Sequence, residues 1–226
     1  MTRRRAGIAL AVALAARASP GLAQTLAEPG RLEIGVGPLW TGQAALGSRN
    51  ANETTGSGSP FTLFSSSTEL ASSTGIEVRI GIRVLPRLDA EAVGSYATPS
   101  LVITTSGDSE NAPGVAAKER LQQFTIHGAA VWYLPAWRAG GRTAPFVTAG
   151  VGYLRHVHEN DVLLAGGTVY EAGGGIKQLL VSRDRRRLKG VGVRADVRAV
   201  ARAKGAAPGG GTHVSPAVTA SLFVRF

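Results

Sequence analysis

The feature that most constrains this chain is a strict two-residue alternation. In "GVGVRADVRAVAR", Val191, Val193, Ala195, Val197, Ala199 and Ala201 share one face. Gly190, Gly192, Arg194, Asp196, Arg198 and Arg202 share the other, with Val200 the one apolar exception. Successive side chains point to opposite sides only in a β-strand, whereas a helical period of ~3.6 would mix the two sets. "GIEVRIGIRV" repeats the pattern, with Ile76, Val78, Ile80, Ile82 and Val84 against Glu77, Arg79, Gly81 and Arg83. The final stretch sets Val214, Pro216, Val218, Ala220, Leu222, Val224 and Phe226 against Ser215, Ala217, Thr219, Ser221, Phe223 and Arg225.

Five further segments alternate less cleanly, around residues 31–37, 88–96, 123–134, 146–153 and 170–180, so eight strands are expected. Between them, residues 41–74 and 97–120 read as long loops, and Pro86 marks a tight turn. Shorter connections follow at Pro135–Thr143, 157–168, Ser182–Arg187 and Ala203–Thr212. An even strand count with long loops at one end and tighter turns at the other is the pattern of a bacterial outer-membrane barrel.

A soluble sandwich also alternates, but with its apolar face inward. Here one set is mostly Val, Ile and Leu, and the other combines glycine with interspersed charge. Small residues and charges suit the narrow interior of an eight-stranded barrel, which side chains just fill. The opposite register would put Arg194 and Arg198 into lipid at roughly 2–4 kcal/mol each near the midplane. The interior set also nearly balances. Arg79, Arg83, Lys177, Arg194, Arg198, Arg202 and Arg225 are seven positives against six negatives, Glu33, Glu77, Asp89, Glu91, Glu171 and Asp196. A confined interior needs that balance, because unpaired buried charge is costly. Two inward ion pairs are expected, Arg83–Asp89 across the Pro86 turn and Glu33–Arg225 across the closing seam.

The N-terminus reads as a secretory signal peptide over residues 1–23. Arg3, Arg4 and Arg5 precede the apolar run Ala6–Ala16, and Gly21-Leu22-Ala23 provides small residues at the cleavage site. That leaves 24–226 as the barrel domain. The net charge of +10 then falls to +6, since four of the 25 basic residues leave and all 15 acids remain. So modest a balance gives little support to nucleic-acid binding. With no cysteine there is no disulfide framework, thiolate metal site or acylation site.

On these residues the chain resembles small bacterial outer-membrane β-barrel proteins of the OmpA-like eight-stranded type. The stretches "APFVTAGVGY" and "GGGIKQLLVSRDRRRLKGVGVRADVR" resemble strands five to seven of that group, and Phe226 matches its terminal aromatic. The resemblance implies an outer-membrane location, contact with outer-membrane lipids, and a role for Phe226 in the signal read by the barrel-assembly machinery. It implies no reaction and no cofactor, and no peptidoglycan-binding domain is expected after the barrel.

Four short motifs carry other chemistry. His213-Val214-Ser215 is loosely similar to the H-x-S of lipid A deacylase barrels, but no acid follows it. His156 and His158, followed by Glu159 and Asp161, could bind a metal, although no complete ligand set surrounds them. Arg183 and Arg185–Arg187 form a basic run better suited to a turn near anionic headgroups than to nucleic acid. Asn52-Glu53-Thr54 matches a glycosylation triplet by chance in a bacterial-type export context. The expectation is therefore a non-enzymatic barrel with a structural or surface-interaction role, a charged, plugged interior, and a possible surface ligand at loops 41–74 and 97–120. A narrow channel for small solutes is the alternative, and a lipid-modifying enzyme comes behind it.

Overall fold

The computed structural model describes residues 31–54, 56–106, 114–134, 142–158, 163–182, 188–203 and 212–226. The expected signal peptide lies outside them, as do Glu159, Asp161 and the arginines of the 183–187 run. Among the described residues every regular element is a β-strand. The eleven strand segments are β1 (Leu32–Thr41), β2 (Ala44–Thr54), β3 (Pro60–Leu70), β4 (Ser73–Leu85), β5 (Leu88–Ala97), β6 (Ser100–Ser106), β7 (Val115–Tyr133), β8 (Thr143–His158), β9 (Leu163–Ser182), β10 (Gly190–Ala203) and β11 (His213–Arg225).

Eight of them close a ring in the order β1-β4-β5-β7-β8-β9-β10-β11, with β11 returning to β1 and every neighbour antiparallel. These are the eight strands read from the alternation. Closure pairs Glu33 with Arg225 and Val36 with Leu222. Pro86 and Arg87 form the turn that sets Arg83 opposite Asp89.

The two stretches read as long loops are largely strand. Residues 44–70 form the β2–β3 hairpin, β3 pairs β6, and β6 pairs the first six residues of β7. The result is a sheet standing beyond the barrel rim, at the end away from the Pro86 turn. Its strands carry Ser, Thr and Asn with no sustained apolar face, and most of β2 is exposed. A sheet wetted on both sides has no reason to alternate, so the period-2 signal fails there. Ala44, Leu46, Leu70 and Leu121, with Leu101 against them, bury a small apolar cluster where this sheet meets the barrel.

The barrel is apolar outside and charged inside. Ile126 is 67% exposed, Val197 58% and Ile80 51%, while Lys177 and Asp196 are almost completely covered. This reverses the usual arrangement of a water-soluble domain and suits a hydrocarbon surround. Aromatic side chains mark two levels of the outer face. Trp40, Tyr96, Phe124, Tyr153 and Tyr170 lie toward the hairpin end, where the Tyr96 and Phe124 rings pack 4.9 Å apart, and Trp132 and Phe226 lie toward the turn end.

Candidate functional site

The lumen holds the chemistry, and the strand registers position it. Near the turn end, Arg225 Nη2 lies 3.1 Å from Glu33 Oε2, and Lys177 Nζ donates to Glu33 Oε1 at 2.6 Å. Arg83 grips Asp89 through Nε and through Nη2, the latter at 3.2 Å. The Tyr133 hydroxyl donates to the same carboxylate, and its ring lies 4.5 Å beneath the Arg83 guanidinium. Lys177 links the two pairs, 3.6 Å from Asp89 Oδ2 and 3.2 Å from Glu91 Oε1.

At mid-height Glu91 accepts both hydrogen bonds of Arg194 Nη1, at 2.7 and 2.9 Å, and one from Arg79 Nη1 at 3.4 Å. Asp196 accepts from Arg79 Nη2 at 3.1 Å and from the Thr219 hydroxyl at 2.5 Å. Above this level Glu77 touches Arg79 and accepts from Arg198 Nη2 at 2.6 Å. Arg198 Nη1 reaches Glu171 at 2.8 Å, and His127 Nε2 sits 2.9 Å from that carboxylate without hydrogen-bond geometry. Glu33, Glu77, Arg79, Arg83, Asp89, Glu91, Lys177, Arg194, Asp196, Arg198 and Arg225 thus form one connected network. Such burial is tolerable because each of these carboxylates lies against at least one cation, and Glu33, Asp89, Glu91 and Asp196 accept several hydrogen bonds each.

Glycine makes the room. A Cβ on Gly173 would come within 2.2 Å of the Val197 carbonyl oxygen and 2.7 Å of Arg198, its partner across the ladder. The bare backbone of β9 therefore lets the guanidinium of β10 cross the lumen. Tyr133, Thr219 and His127 are network members not named as such from the sequence. Their inward positions follow from the alternation, but their partners lie on other strands.

Among solved structures sharing this architecture is the outer membrane protein OprG from Pseudomonas aeruginosa, with a TM-score of 0.58 at 12% sequence identity over 88% of this chain and 97% of that one. The fold is that of a small outer-membrane β-barrel. No protein-family model and no curated protein sequence matches the chain.

The His213–Ser215, His156–His158 and Asn52–Thr54 motifs fall at the hairpin end of the barrel. Ser215 Oγ faces the lumen and accepts from Arg202 Nη1 at 2.7 Å, and His213 stands at the start of β11. His156 Nε2 pairs with Gln123 Oε1 at 3.0 Å inside the barrel, while His158 ends β8. Among the described residues no group of three or more His, Asp or Glu is placed to hold a metal. Asn52 accepts a hydrogen bond from Thr62 across the β2–β3 hairpin. Phe226 lies half-exposed at the outer face of the turn end, its backbone N–H bonded to the Leu32 carbonyl at 2.9 Å.

Proposed function

We propose that this chain is an outer-membrane protein with a structural or surface-interaction role, its lumen plugged by its own charges. The observation that carries the reading is the unbroken run of ion pairs from Glu33 and Arg225 at one end to Glu171 near the other. A space of 10 Å³ remains beside Arg83, Asp89 and Arg225, and one of 30 Å³ beyond His127. The smaller holds about one water molecule, which supports a closed lumen.

The aromatic levels support a membrane setting. Phe124 and Trp132 are eight residues apart on β7. That is about 27 Å of strand and ~20 Å of height at a tilt of about 40°, close to the ~25 Å apolar band of outer-membrane barrels. On this reading lipids contact the band, and the Pro86 turn faces the periplasm. The β2–β3–β6 sheet then faces outside, where stretches 41–74 and 97–120 would meet any surface ligand.

Planar-bilayer recording of the purified barrel tests the plug. Conductance should be absent, or small and flickering. A stable, large open channel would overturn the reading and establish solute passage instead.

A further inference from the structure

The barrel strands turn seven cations and six acids inward, Arg31 is buried beside Glu33 just before β1, and Arg202 stands apart from the other strand cations. Six of the seven touch at least one carboxylate. Arg202 touches none among the described residues. Its Nη1 donates to Ser215 Oγ at 2.7 Å, its Nε has no hydrogen-bond partner, and the residue is only 7% exposed. A buried guanidinium that touches no carboxylate is costly unless something else balances it.

Arg202 also borders the 30 Å³ cavity, with Thr41, Ser95, Gln123 and Thr125 supplying hydroxyl and amide groups around it. Glu77 and Glu171 form the inner wall, where Arg198 already binds both. A space of that size takes one or two waters, or one ion of similar bulk.

We propose that Arg202 and this polar wall bind one small monovalent anion of the size of chloride. The anion would supply the counter-charge that Arg202 lacks among the described residues, held by the guanidinium and the neighbouring donors. Lys177, at the other end, has Glu33, Asp89 and Glu91 around it and leaves no comparable opening.

Chloride-35 NMR of the refolded barrel in detergent with sodium chloride tests this directly. The wild-type barrel should broaden the chloride line beyond a protein-free detergent control, and added bromide should compete the broadening away. Arg202→Gln should lose most of that excess, while Arg155→Gln, at an exposed arginine on the outer face, should keep it. Folded state is checked by gel mobility before and after boiling. If Arg202→Gln does not fold, the wild-type measurement decides alone. No excess broadening, or broadening that bromide leaves unchanged, overturns the proposal, as does full broadening in folded Arg202→Gln. The last result would mean an adventitious surface ion only.

Discussion

Arg83 and Asp89 show how much a single residue depends on its partners in this lumen. Their strands bring them face to face, but Asp89 also accepts from Tyr133 and lies within reach of Lys177. Removing either partner strands a charge in a confined space, at a cost of roughly 3–5 kcal/mol if burial is complete and less where water enters. A double-mutant cycle on Arg83→Ala and Asp89→Ala, read by urea unfolding in lipid vesicles, should show coupling above the ~0.5 kcal/mol expected of independent sites. Additive losses would mean that Lys177 and Tyr133 replace the missing partner without penalty.

At the scale of an element, the barrel strands and the hairpin-end sheet obey different solvents. Val197 on β10 points outward at mid-strand, and Ser48 on β2 is exposed beyond the rim. Val197→Arg should therefore cost about 2–4 kcal/mol in vesicle unfolding, while Ser48→Arg should stay within ~0.5 kcal/mol. Equal costs would place the two strands in the same medium. The β2–β3 hairpin also looks separable from the ring. Thr41 and Ser73, which flank it, are already ladder partners, with their hydroxyl oxygens 2.9 Å apart. Replacing residues 44–70 with a short turn should leave a closed barrel, weakened by the loss of the cluster around Leu46, Leu70 and Leu121. Failure of that variant to form any barrel would show that the outer sheet is needed to close the ring.

For the whole molecule, closure leaves no strand edge within the ring, and each of its strands is hydrogen-bonded on both sides. Unfolding then requires breaking two ladders of any strand together with the ion pairs inside. The protein should migrate differently on gels before and after boiling in detergent, and should fractionate with outer membranes when expressed in a Gram-negative host. Soluble periplasmic material with one gel mobility would contradict both the apolar outer band and the closed ring.

The period-2 pattern alone determined the strand class, the eight barrel strands and which charges face inward, because side-chain direction in a strand depends only on a residue's parity. Glu33 and Arg225 could be paired in advance only because strands one and eight must meet, and Arg83 and Asp89 only because Pro86 joins neighbouring strands. The tertiary structure decided the rest. Lys177 meets Glu33 across 144 residues, and Arg79 meets Asp196 across 117. Such choices depend on the stagger of strands around the ring, which leaves no local trace. The strands of the outer sheet were equally hidden, since water on both faces removes the periodicity that would announce them. The same holds for Arg202. Its parity placed it inside, but only the packed lumen shows that six carboxylates are taken by the other cations and that an opening lies at its side.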